Sequence, residues 1–294
     1  MEPGKQQLDL NSEIQKRCVE IFRGNFGKEY HLSIIASTEI KMSSDEIVKA
    51  YENILATVEK LAQRKFPKKN FQLIVIYFDK RPKNYIYNVR NINSQESTLV
   101  ILEGNSNLDR TNEIICELEA FGPHEFFHTS VRWLYPGVKS GKLCGAGWFE
   151  EGLACYCNYL SDFYFSQCKE KRTQSDGNIA MVAFTNNEIR QDLWKNFSPG
   201  NESWLNRNKF KKMTEEEIKA FWKPLDDGLD ASLGAFIFLE RRIGKDKLFE
   251  IVHNLQGKHE YQDEKFYQDL ASYVGFDIRK VTQQEIEEVF ADNK

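Results

Sequence analysis

Residues 121–135 read FGPHEFFHTSVRWLY, which sets His124 and His128 four positions apart with Glu125 directly after the first histidine. On a helix, positions i and i+4 project from one face a turn apart, so the two imidazoles can offer nitrogens to one metal ion about 2 Å away. Glu125 then falls beside the metal and not on it, where a general base must stand to take a proton from water. Two histidines rarely make a catalytic zinc site, because the usual set is three protein ligands with a fourth position left open. The chemistry therefore depends on a third ligand elsewhere in the chain.

The stretch GWFEEGLA, residues 147–154, contains the candidates Glu150 and Glu151. A helix running back alongside the first can present one carboxylate to the histidine pair, and a small residue such as Gly152 or Ala154 permits close helix packing there. Adjacent helical positions differ by about 100° in direction, so only one of the two carboxylates can face the metal. Glu151 follows His128 by 23 positions, room for a turn and an antiparallel return.

His-Glu-x-x-His followed at this interval by Trp148-x-x-Glu151-Gly152-x-Ala154 resembles the gluzincin metallopeptidases, the thermolysin-like and aminopeptidase-like group called peptidase MA. The resemblance implies Zn2+ as cofactor, with His124, His128 and Glu151 as metal ligands, Glu125 as catalytic base and Trp148 in the aromatic place. It also implies that the strand STLVILEG (97–104) is an edge strand able to bind extended substrate by backbone pairing. The segment 231–252, ASLGAFIFLERRIGKDKLFEIV, is similar to the apolar helix, glycine, helix arrangement of the C-terminal half of such enzymes.

Two features depart from the pattern. A tyrosine that stabilises the oxyanion in relatives is expected near 229–230, where this chain has Leu229 and Asp230; Tyr156, Tyr159, Tyr164 and His253 are the substitutes on offer. The glycine-x-methionine-glutamate-asparagine signature of exopeptidase members is absent, with only Glu103 in that region, which favours an endopeptidase over an aminopeptidase. Pro123 puts the start of the metal helix, or a kink, just before both histidines.

The elements that must position these residues are legible in the patterning. SSDEIVKAYENILATVEKLAQRKF starts a helix, with Ser43 and Glu46 at capping-box spacing, and the strands HLSIIAST (31–38) and FQLIVIYFD (71–79) flank it. GWFEEGLACYCNYLSDFYF reads as an internal helix, and the polar stretches 166–178 and 196–213 read as surface loops. TEEEIKAFW, with Thr214 and Glu217 at capping-box spacing, ASLGAFIFLERRI, KDKLFEIVHNL and TQQEIEEVF, with Thr282 and Glu285, read as four further helices.

Bulk properties narrow the classes. A hydrophobic fraction of 41% with 13% aromatics argues for a packed globule, and a net charge of −4 gives no basic surplus to recommend nucleic acid. The longest apolar runs, LIVIYF and GAFIFL, are far shorter than the ~20 residues of a membrane span. The opening MEPGKQQLDL has neither a basic nor an apolar signal region, so the expectation is cytoplasmic by default, or secreted if a leader has been removed. The six cysteines, 18, 116, 144, 155, 157 and 168, lie in a chain too large to need disulfide staples and leave the compartment open; Cys155 and Cys157 point to different helix faces, lack zinc-knuckle spacing and read as ordinary thiols.

The expected fold class is α+β and zincin-like: a mixed α/β N-terminal half with the active-site helix and an edge strand, then a helical C-terminal half. The expected subdomains are 1–160, carrying both metal-ligand helices, and 161–294, with a cleft between them. The expected function is a zinc-dependent peptidase acting on a peptide or protein substrate, with no nucleic-acid partner, no membrane span and a monomer by default. A zinc-binding pseudoenzyme or a non-peptidase zinc hydrolase on the same scaffold are the alternatives.

Overall fold

The computed structural model describes residues 24–26, 31–36, 55–60, 63–65, 70–78, 90–93, 98–104, 124, 127–128, 146–160, 169–197, 214–256, 258–259 and 264–291. The helices are α1 Gly147–Leu160, α2 Lys169–Thr185, α3 Asn187–Asn196, α4 Glu215–Ile243, α5 Lys245–Leu255, α6 Glu264–Val274 and α7 Gln283–Ala291, with a 3-10 turn at Ile278–Lys280. Residues 55–60 are also helical. The capping box at Ser43 and Glu46 lies outside the described residues, as do Pro123, Glu125 and Tyr164.

α4 is the hub, against which α1, α2, α3, α5 and α7 all pack. Ala231, Ser232, Leu233, Ala235, Phe236, Ile237, Phe238 and Leu239 are all buried, so this half of α4 is apolar around its whole circumference and must be internal. The sequence expectation of two separate helices here does not hold: α4 runs unbroken through Pro224. Proline inside a helix costs about 3 kcal/mol, and burying a large apolar side chain contributes roughly 1.5–3 kcal/mol. Several such side chains follow Pro224, so packing outweighs the lost hydrogen bond.

Glycines set how closely the helices approach. A Cβ on Gly152 of α1 would lie 2.8 Å from the Ser232 carbonyl oxygen and 2.9 Å from the Phe236 ring, and one on Gly234 would collide with the Ala180 carbonyl and Phe184 of α2. Gly152 thus serves close packing as its size suggested, with α4 as the neighbour it admits. α4 ends at Gly244, whose φ of 85° and ψ of 151° belong to a region that side-chain-bearing residues avoid, and α5 begins at once.

Capping follows the sequence signals. Thr214 and Glu217 form a reciprocal capping box on α4, and Thr282 and Glu285 form another on α7, with the Thr282 N–H donating to Glu285 at 2.8 Å. The reading of 166–178 as loop is corrected, because α2 covers residues 169–185. Its polar opening, KEKR, is made of strong helix formers and extends a helix that Ala180, Ala183 and Phe184 anchor in the core. Arg190 of α3 is buried and donates to the Phe184 and Thr185 carbonyls at 2.7 and 2.8 Å, satisfying the last turn of α2.

The expected α+β, zincin-like class is overturned. The residues whose side-chain surroundings are described are 86% helical and include no strand, so the described core is helical. Extended backbone is described at β1 Gly24–Phe26, β2 His31–Ala36, β3 Asn70–Phe78, β4 Arg90–Asn93 and β5 Thr98–Gly104, paired in the order β1-β2-β3-β5-β4. β5 is therefore no edge strand: β3 pairs with it in parallel on one side and β4 antiparallel on the other. Its run LVIL is the continuous apolar pattern of an interior strand, and the polar RNIN of β4, silent as a strand signal, occupies the edge. With both sides of β5 paired, no backbone row is left there for a substrate strand. Among the described residues no helix is long and apolar enough to cross a membrane.

Candidate metal centre

α1 starts on the Ala146 carbonyl, which accepts from the Phe149 and Glu150 N–H groups at 3.1 and 3.2 Å. Its register is locked by aromatic packing: Trp148 is buried, stacks edge-on against Trp194 at 4.9 Å and donates its Nε1–H to the Tyr267 hydroxyl at 3.0 Å. That hydroxyl lies 3.4 Å from the Trp194 carbonyl, so the buried indole and phenol satisfy each other and the α3 backbone. With Trp148, Phe149 and Leu153 held in the core, Glu150 and Glu151 must leave α1 toward the remaining face.

That face meets the histidine pair. Residues 124, 127 and 128 are helical, and Phe127 is fully buried, which anchors the histidines at its side. Glu151 Oε2 lies 3.0 Å from His124 Nε2 and 3.4 Å from His128 Nε2, and the two Nε2 atoms are 3.2 Å apart. Glu150 lies on the other side of the pair, its Oε1 3.5 Å from His128 Nδ1. Glu151 thus faces both Nε2 atoms, whereas the Glu150 contact runs to the Nδ1 edge of His128. Glu125 lies outside the described residues.

His124, His128 and Glu151 form a group that could hold a metal ion. Ligand atoms arranged tetrahedrally about zinc at 2.0–2.1 Å lie roughly 3.3 Å from one another. The three separations here bracket that value, and two imidazole nitrogens with one carboxylate oxygen are a donor set zinc accepts. The residues fit the metal in both geometry and chemistry.

The electrostatics describe a tightly paired cluster. Burial alone pushes His128 down, but the Glu151 charge and hydrogen bonds to Glu150 and Glu151 outweigh it and raise it to about 10. Burial likewise opposes charge on His124, and Cys155 together with Glu151 overcomes it, lifting the imidazole well above its ordinary range. Burial raises the Glu151 carboxyl, yet the two histidines facing it hold it far below the usual carboxylate range.

Of the substitutes for an oxyanion donor, Tyr164 lies outside the described residues, and the contacts of Tyr156, Tyr159 and His253 place them on α1 and α5. Tyr156 is fully buried against Phe236 and Phe249, at ring distances of 5.6 and 6.5 Å, so it belongs to the α1–α4 core. Tyr159 stacks on Tyr156 at 6.4 Å, and His253 sits on α5 with Nδ1 buried. What sequence reasoning missed is Cys155: its Sγ lies 3.4 Å from His124 Nδ1. Its place four residues after Glu151, on the same face of α1, was the signal that could have found it.

No family model and no curated protein matches this sequence. Among solved structures, one similar chain is an aminopeptidase N family protein from Idiomarina loihiensis, with a TM-score of 0.45 and 13% identity over 81% of this chain and 41% of that one. This chain spans less than half the length of that neighbour, and a likeness at this level decides neither fold nor activity.

Proposed function

We propose that the protein is a zinc metallopeptidase, with Zn2+ held by His124, His128 and Glu151 and with Glu125 as general base. The observation that carries the proposal is the convergence of His124 Nε2, His128 Nε2 and Glu151 Oε2 at 3.0–3.4 Å on one point between two helical segments. Zinc, when bound, supplies a Lewis acid that polarises a peptide carbonyl and acidifies water. Glu125 follows His124 in the sequence and is the carboxylate available to take the water's proton and return it to the leaving amine. The missing exopeptidase signature makes endopeptidase cleavage the finer reading, and the division into 1–160 and 161–294 stays part of it, with the ligands all in the first unit. Packing of α1 on α4 ties the ligand helix to the second unit.

The test is mass spectrometry of a broad peptide library incubated with zinc-loaded protein and with Glu125→Gln. The expected result is internal cuts by the parent alone, with one zinc retained in both proteins. Removal of a general base should cost at least the 10²–10⁴-fold typical of such groups. Appreciable turnover by Glu125→Gln refutes the assigned base. A parent that keeps zinc but cuts no peptide points instead to a non-peptide substrate or a silent zinc-binding fold.

A further inference from the structure

Both histidines turn Nε2 toward Glu151, so both Nδ1 atoms lie on the outside of the cluster. Each meets a side chain from α1: Cys155 Sγ is 3.4 Å from His124 Nδ1, and Glu150 Oε1 is 3.5 Å from His128 Nδ1. Glu150 is buried, 8% exposed, and Cys155 is a free, half-buried thiol. One short stretch of α1, residues 150–155, therefore reaches the ring edges of both histidines as well as the point between them.

We propose that Glu150 and Cys155 are positioning residues of the metal centre, each accepting the Nδ1–H of one histidine and so holding its Nε2 lone pair toward the metal. The inference rests on the zinc reading above. A neutral imidazole carries one N–H, and an acceptor beside Nδ1 keeps the proton there, leaving Nε2 free to ligate. The partners are unequal: an ionised carboxylate is a strong acceptor that raises ligand basicity, whereas sulfur is a weak one. His128 is the more firmly held ligand, and loss of Glu150 weakens the centre more than loss of Cys155.

The experiment measures zinc affinity of the full chain by competition with a chromophoric chelator, and the visible absorption of the Co2+-loaded protein. The variants are Glu150→Ala, Glu150→Gln, Cys155→Ala, Cys155→Val and Cys155→Ser, each checked for unfolding without metal. Glu150→Ala and the two apolar Cys155 variants should bind zinc about 10–100-fold more weakly and shift the cobalt spectrum, with Glu150→Ala the weakest. Glu150→Gln and Cys155→Ser, which keep an acceptor, should retain most of the affinity. Cys155→Val fills the thiol's space without accepting a hydrogen bond; if it binds zinc like the parent, Cys155 only packs and its assigned role falls. Parent-like binding and spectra in all the apolar variants overturn the proposal while leaving the zinc site intact. A parent that binds no zinc removes the zinc reading and the positioning roles together.

Discussion

At the scale of residues, the centre is a carboxylate enclosed by two imidazoles, and its protonation follows from that. His128, raised to about 10 from an ordinary 6.5, contributes stability to the metal-free protein that is full below pH 6.5 and is lost as pH rises through about 10. Glu151, depressed from an ordinary 4.5, contributes stability that is full above pH 4.5 and is lost only as pH falls through its folded value. The metal-free cluster is therefore most stabilising between about pH 4.5 and 6.5. Zinc needs both histidines neutral, so binding at pH 7 must displace protons, and affinity must climb with pH across the neutral range. Calorimetric titration of zinc in two buffers of different ionisation enthalpy should return a net proton release; an identical apparent enthalpy in both would show that the histidines are already neutral.

At the scale of elements, two glycines carry load for different physical reasons and can be separated by substitution. Gly152→Ala places a methyl 2.8 Å from a backbone carbonyl of α4, which cannot swing aside like a side chain. The expected cost is about 1–3 kcal/mol. Because α1 also carries Glu151, the same change should weaken zinc binding. Gly244→Ala meets nothing within 4 Å, so its cost comes from φ of 85° alone, again about 1–3 kcal/mol, with zinc affinity left as in the parent. Denaturant unfolding with parallel zinc titrations distinguishes them: equal effects on zinc affinity would mean that α1 is not seated by its contact with α4.

At the scale of the molecule, the ligands come from segments 23 positions apart in sequence and are brought together only in the folded state. A ligand that binds the native state alone stabilises it by about 2.7 kcal/mol at a free concentration one hundred times its dissociation constant. Zinc should therefore raise the thermal unfolding midpoint in a concentration-dependent way, and a chelator should return it to the metal-free value. A midpoint indifferent to both would show that the His124, His128 and Glu151 cluster is an ion-pair network without a metal.

Local features of the chain are determined by sequence alone, because they depend on neighbours within one turn. The His124 and His128 spacing, the capping boxes at Thr214 and Thr282, the span of α5 and the glycine stop at 244 all follow from residue types a few positions apart. Features that depend on distant partners were decided only by tertiary structure. Whether Glu150 or Glu151 meets the Nε2 pair turns on how Trp148 is locked into the core, and Cys155 becomes a neighbour of His124 only when α1 docks. The family resemblance put β5 at an edge, but the polar β4, silent as a strand signal, pairs beside it, and α4 looks like two helices until its buried half carries it through Pro224. In each case burial and pairing outweigh local propensity, and neither can be read from a short stretch of sequence.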